Sequence, residues 1–184
     1  TCRHMKATAN LENDHVYILR LCDVMEKMAH AANIDPEHLE KVVSLIRNFA
    51  DGLHHKKEED LLFPKMAEKG FSPVQGPVAV MLYEHEEGRK YVRGIAGNIE
   101  LYKSGDKEAA EAVKYNLLGY AVLLRNHIAK ENNILFRMAD NALSDEEQES
   151  LSAEFNKVEK SMAPGGTSSS YIAQIEKLAV NISL

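Results

Sequence analysis

Two cysteines, five prolines and no tryptophan in 184 residues exclude several classes of protein at once. Cys2 and Cys22 form no CxxC pair, so neither a disulfide framework nor a thiolate zinc site is built from them, and a reducing cytoplasm is the expected location. No apolar run approaches the roughly 18 to 20 residues that span a bilayer, and no apolar segment with a small-residue cleavage site follows the start. Neither a membrane partner nor a secretory signal is therefore expected. Excess positive charge is missing too. The 22 Lys and Arg are scattered among 28 Asp and Glu for a net charge of −6, which argues against nucleic acid as a partner. What remains is 45% hydrophobic and 27% charged, the composition of one packed globular domain. Residues 1–4 read as a cloning remnant ahead of a start at Met5, so Cys2 and His4 are set aside.

The sparse glycines and prolines fall between stretches of helical periodicity. The first helix is expected from about Asn10 to Ala32, with Leu11, His15, Ile18, Cys22 and Met25 on one face. Asp35-Pro36 is a cap residue followed by proline at the first helical position. It opens a second helix carrying Leu39, Val42, Ile46, Phe49 and Leu53 toward Pro64, where a kink or an end is expected. A third helix runs from Pro77 to about Lys103 and a fourth from Asp106 to about Ala142. Ser144 to Glu147 has the form of a capping box that starts a fifth helix ending near Ser161. A small-residue linker from Ala163 to Ser170 then leads to a short amphipathic tail. The expectation is an all-α, up-down-up-down antiparallel four-helix bundle over residues 5–142, with additional C-terminal helices over 143–184.

The histidines carry the chemistry. Four of them, His15, His54, His85 and His127, fall one per long helix. The segments His54 to Phe63 and His127 to Phe136 share the pattern H-x-x-K-E-x-x-[LI]-L-F. The echo extends outward, because Asp14-His15 precedes the first copy and Glu84-His85 the second, so a pseudo-twofold bundle follows. Residues i and i+4 share a helix face one turn apart, so His54 with Glu58 and His127 with Glu131 can grip one metal centre. At about 100° per residue from Leu39, His54 lies about 60° from the centre of the apolar stripe and His55 about 160°. His55 and Glu59 are accordingly expected on a solvated face, and His30 and His38 at helix ends are expected at the surface. A lone HxxxE is common by chance. Two copies plus an inward histidine on each remaining helix would be costly in an apolar bundle unless they bind a metal. Nitrogen and oxygen donors without thiolate suit iron or manganese.

In the order H…HxxxE…H…HxxxE, in the HHxKEExxLFP segment at His54 to Pro64 and in the EHExGR segment at Glu84 to Arg89, the chain resembles the hemerythrin-like, or HHE cation-binding, family over about residues 7 to 142. The resemblance implies a four-helix bundle around a non-heme pair of iron ions with an oxo or hydroxo bridge, meeting a small diatomic ligand or peroxide. It implies His15, His54, His85 and His127 as imidazole ligands and Glu58 and Glu131 as bridging carboxylates. One position departs: oxygen-carrying members place a fifth histidine one turn before the third-helix ligand, where this chain has Met81. That departure would leave an open position on both metals. The ligand set is similar to that of iron–sulfur cluster repair proteins, whose short cysteine-containing N-terminal domain has no counterpart in these 184 residues, and to eukaryotic iron-sensing hemerythrin domains. The functions implied are binding of O2, nitric oxide or peroxide for sensing, storage or detoxification. The alternatives are a di-iron enzyme (peroxidase, nitric oxide reductase or iron-donating repair factor) and an iron-responsive interaction module. Tyr120 and Cys22, each seven residues from a histidine on its own helix, are expected to be packing residues, as are Met25, Met66 and Met138.

Overall fold

The computed structural model describes residues 5–162 and 168–184. Residues 1–4 and most of the expected linker, 163–167, lie outside the described residues. Every regular element among the described residues is helical. Helix α1 is Ala7–His30, α2 is built from consecutive helical segments over residues 36–68, and α3 is Pro77–Ala96. Helix α4 covers residues 107–142 in the same segmented way, and α5 (Asp145–Ser161) and α6 (Ser168–Asn181) follow. The caps are those the sequence announces. Asp35 accepts a hydrogen bond from the Glu37 amide ahead of Pro36, Asp106 accepts from the Ala109 amide, and Ser144 and Glu147 form a reciprocal capping box.

Contacts across the bundle show its antiparallel register, since residue numbers rise on one helix as they fall on its neighbour. Along α1 and α4 the pairs are Thr8 with Asp140, Glu12 with Arg137 and Asp23 with Arg125. Along α2 and α3 they are Glu59 with His85 and Asp51 with Arg89. The resulting core has two apolar clusters. One gathers Ile18, Cys22, Met25, Leu39, Phe49, Leu117, Leu124 and the α6 residues Ile175 and Leu178. The other gathers Leu11, Phe63, Met66, Met81, Leu135, Phe136 and the α5 residues Leu151 and Phe155. Between them, at one level of all four long helices, lies a buried polar layer. Its residues include His15, His54, Glu58, His85, His127 and Glu131.

Two boundaries differ from expectation. The third helix stops at Ala96, and after a turn at Gly97 and Asn98 a single helical turn, Ile99–Lys103, continues it. Pro64 does not end α2, which runs on to Glu68. It sits at the start of Phe63–Glu68, directly after the wide turns of Glu58–Leu62, where the ladder has already shifted and can do without the proline's missing donor. The larger surprise is the π-helical winding of Ile46–His55, Glu58–Leu62 and Glu131–Leu135. Such turns are rare and cluster at functional positions; here they hold His54, Glu58 and Glu131. No helix among the described residues is long and apolar enough to cross a membrane.

Candidate metal centre

Each long helix presents one of the four histidines to the polar layer, and their Nε2 atoms meet in pairs. His15 Nε2 lies 3.1 Å from His54 Nε2, and His85 Nε2 lies 3.1 Å from His127 Nε2. Which nitrogen carries the proton follows from the partner of the other. His54 Nδ1–H donates to Asp14 Oδ2 at 3.0 Å, His85 Nδ1–H to Glu59 Oε1 at 3.2 Å, and His15 Nδ1–H to Asn132 Oδ1 at 2.6 Å. His127 Nδ1 faces Glu84 at 3.6 Å. A carboxylate or amide oxygen can only accept, so in the neutral rings the Nε2 atoms offer lone pairs toward the interior.

These partners complete the internal echo. The acid that precedes the single histidine of one helix, Asp14 or Glu84, faces the histidine of the adjacent HxxxE motif and binds its lysine. Lys57 lies 2.6 Å from Asp14 Oδ2, and Lys130 donates to Glu84. The residue after each motif glutamate, Glu59 or Asn132, accepts from the histidine across the bundle, His85 or His15.

The two glutamates join the pairs. Glu58 directs Oε1 to His54 Nε2 (2.5 Å) and Oε2 to His85 Nε2 (3.4 Å), while Glu131 directs Oε2 to His15 Nε2 and Oε1 to His127 Nε2, both at 3.0 Å. Both are fully buried, yet none of their four oxygens has a hydrogen bond of acceptable geometry. Orphaned buried carboxylate oxygens are expensive unless a cation takes the place of the hydrogen bonds. The donors fall into two sets that share both glutamates: His15, His54, Glu58 and Glu131, and His85, His127, Glu58 and Glu131, each within 4.8 Å. A cation fits each set, and a dinuclear arrangement fits the sharing. Burial opposes charge on both carboxylates, but His54 and His85 hold Glu58 well below its ordinary range. Burial and the Glu58 charge oppose ionisation of Glu131, which His127 and His15 outweigh. Burial likewise opposes charge on the rings, yet Glu58 and Asp14 raise His54 to about 9, and Glu131 and Glu84 raise His127 to about 10.

The expectation for His55 and Glu59 fails. His55 is 3% exposed, and its ring stacks on His85 at 3.7 Å with the planes 15° apart. Its Nδ1–H donates to Asp51 at 3.0 Å. A single extra residue in a wide turn sets everything after it back by about 100°, enough to bring both His54 and His55 to the inner face. Gly52 permits it, because a Cβ there would lie 2.6 Å from the Arg47 carbonyl oxygen. That glycine inside a helical pattern was the available signal. Glu59 is only partly exposed, bound to His85 and to Arg89.

The EHExGR segment resolves into separate jobs. Glu84 holds Lys130, His85 points inward, and Gly88 makes room for the Tyr120 ring, which would lie 2.8 Å from a Cβ at that position. Arg89 clamps Asp51 and Glu59. Tyr120 and Cys22 are buried packing residues as expected, with the Cys22 thiol pushed up to about 12 by burial. Met25 and Met66 are fully buried and Met138 packs against the second cluster. His30 is exposed and His38 partly so.

Comparison with known proteins agrees with this architecture. A relative over 107 residues, 32% identical, is the iron-sulfur cluster repair protein YtfE of Escherichia coli O157:H7; the match covers 56% of this chain. The matched region spans 48% of that relative, about half its length. No solved structure matches the chain at a significant level. Residues 6–139 match the family model of the hemerythrin HHE cation-binding domain, a span that contains all four histidines and both glutamates, and the chain therefore belongs to the hemerythrin HHE family.

Proposed function

We propose that the chain is a non-heme di-iron protein that binds O2, nitric oxide or peroxide for sensing, storage or detoxification. His15, His54, His85 and His127 are its imidazole ligands, and Glu58 and Glu131 its bridging carboxylates. The observation that carries this reading is the sharing of Glu58 and Glu131 between two histidine pairs, with all four buried oxygens lacking hydrogen bonds. When bound, the iron pair with its oxo or hydroxo bridge supplies the electrons and a binding position for the small ligand. The chain's own residues do the rest. Asp14, Glu59 and Asn132 fix the ring orientations through Nδ1, and Glu84 faces the fourth ring. Phe136 stacks on His15 at 5.4 Å, and Phe63 lies 6.0 Å from His85, so apolar rings cover the donors and keep bulk water from them. In this reading residues 5–142 form the metal-holding unit, and α5 and α6 of the 143–184 extension close its two ends.

A second reading, an enzyme or iron-donating repair factor, is favoured by the likeness to a protein described as an iron–sulfur cluster repair protein. Anaerobic reconstitution with ferrous iron, with metal counted per chain and optical spectra taken on O2 addition and removal, tests both. Two irons and a reversible visible charge-transfer band support binding. Two irons with irreversible oxidation and turnover of peroxide or nitric oxide support the enzyme. A chain without stoichiometric metal overturns the site, and manganese retained in preference to iron overturns the choice of metal.

A further inference from the structure

Helix α5 fills a groove that the internal echo repeats elsewhere. It lies across α1 and the Glu58–Leu62 turns of α2. Gln148 accepts from the Ala7 amide at 2.9 Å, and Glu159 Oε1 accepts from Lys57 Nζ at 2.9 Å and from Asn10 Nδ2 at 3.3 Å. Leu151 and Phe155 join Ala7, Leu11 and Leu62 in one apolar cluster, with Leu61 packed against it. Six of the residues beneath α5 are thus Ala7, Asn10, Leu11, Lys57, Leu61 and Leu62. Counting from the paired histidines, they correspond to Pro77, Val80, Met81, Lys130, Ile134 and Leu135. Those six line a groove of about 150 Å³ between α3 and α4. The same six positions form a covered seat in one half and an open one in the other.

Nothing among the described residues occupies the second groove. Its floor, Met81 and Leu135, is buried by the bundle itself. Its walls are not, since Val80 is 45% exposed, Ile134 is 52% exposed and Pro77 lies at the surface. In the covered half Ala7 is buried, and Asn10 and Leu61 are half-buried. Single exposed apolar side chains are ordinary, but three around one concave strip form a seat for apolar groups. Charge points the same way. Lys130 is partly exposed and pairs with Glu84 alone among the described residues, whereas Lys57 holds both Asp14 and Glu159. The carboxylate that α5 brings is the group the open half lacks. Two positions show how the occupant differs from α5. Pro77 has no amide proton where Ala7 donates to Gln148, and Val80 has no side-chain donor where Asn10 donates to Glu159. An apolar residue therefore suits the place of Gln148, and the acid serves the lysine alone. A second copy of the chain has no such helix to give, because its own α5 is already seated, and two concave grooves face to face leave the strip unfilled.

We infer that the α3–α4 groove docks an amphipathic helix of a partner protein, seated as α5 is seated on α1 and α2. Two large apolar side chains four residues apart, spaced as Leu151 and Phe155 are, enter the groove, and a carboxylate four residues further on, placed as Glu159 is, pairs with Lys130. Docking removes Lys130 from water as Lys57 is removed already. The inference concerns an outer face of the bundle and stands apart from the identity of the metal.

The probe is a fluorescein-labelled peptide with the α5 sequence, residues 145–161, carrying Gln148→Leu, added to the full chain. Fluorescence anisotropy should show saturable binding. A benzophenone in place of Phe155 should cross-link to α3 and α4 around Met81 and Ile134. Val80→Asp and Ile134→Asp, both at exposed positions, should each weaken binding roughly tenfold or more, with circular dichroism confirming an intact bundle. Lys130→Met should weaken it by about two- to threefold, and Glu159→Gln in the peptide should do the same to the wild-type chain while adding nothing in Lys130→Met. Absence of saturable binding, unchanged affinity in both aspartate variants, or cross-links confined to α1 and α2, where the peptide displaces α5, overturns the inference. A concentration-dependent dimer that Ile134→Asp dissolves also overturns it, because a second copy is then the occupant.

Discussion

Around His54 the lysine of the H-x-x-K-E motif, Lys57, is 0% exposed; it is held by Asp14 on α1 and Glu159 on α5 and lies 5.8 Å from the Phe155 ring. Around His127 its counterpart Lys130 keeps 43% of its side chain exposed and pairs with Glu84 alone among the described residues. The same local pattern thus sits in two environments because a C-terminal helix covers one of them and, among the described residues, nothing comparable covers the other. The difference teaches that the surrounding fold can place two copies of one local motif in unlike environments. On a different side, between α1 and α4, Leu124 and Ile128 belong to the apolar core and Leu19 packs against it. Between α2 and α3, Asp51, His55 and Arg89 line a cavity instead.

The comparison breaks most sharply at the lysines. Lys57→Met takes from buried Asp14 and from Glu159 their shared cation, leaving Asp14 with His54 alone, and should lower stability by about 2 to 3 kcal/mol. Lys130→Met, at a half-solvated pair, should cost under about 1 kcal/mol. Chemical denaturation of the two metal-free variants checks the contrast, and equal losses would show that α5 does not distinguish the halves.

A pH series tests what the halves share. His54 and His127, raised from an ordinary 6.5 to about 9 and about 10, must each shed a proton before Nε2 binds a metal. Apparent affinity should therefore climb by roughly tenfold per pH unit for each iron at pH 7 to 8, roughly a hundredfold for the pair, two protons leaving per loaded chain. The metal-free protein runs the other way. Because both folded values exceed the unfolded one, its ion-pair stabilisation is complete below about pH 6.5 and fades as pH rises through 9 to 10. Calorimetry of metal binding in buffers of different ionisation enthalpy counts the protons, and none released would refute the assignment.

The smallest effect compares the residues that face Nδ1. Asp14→Asn should weaken metal affinity by about 10- to 100-fold. Glu84→Gln should do less, since Glu84 stands 3.6 Å from His127 Nδ1 against 3.0 Å for Asp14 and His54. Competition with a chelator ranks the two, and the reverse order would mean that the covered half does not hold its histidine the more tightly.

Much of this was legible in residue order. Asp35-Pro36, Asp106 and the Ser144 box mark helix starts whose hydrogen bonds are local, and local chemistry reads directly from sequence. The six donors were legible because i, i+4 spacing on an amphipathic helix aims two groups at one point. His55 was not, because the arithmetic assumed a uniform 100° per residue, and the π-turns of Ile46–His55 rotate everything beyond them. Glu59 was missed for the same reason. The uneven covering was also illegible. Glu159 lies 102 residues from Lys57, and nothing in their local patterns links them.

The sequence by itself determined the all-helical bundle, the pairing of helices one and two with three and four, and the four histidines and two glutamates that converge. Periodicity and the internal echo constrain each of these within a single helix. Only the tertiary structure decided that the two halves differ. Which lysine is sealed depends on where α5 packs, and the hollow between α2 and α3 depends on how far a wide turn swings His55; both are outcomes of packing that local patterns do not record.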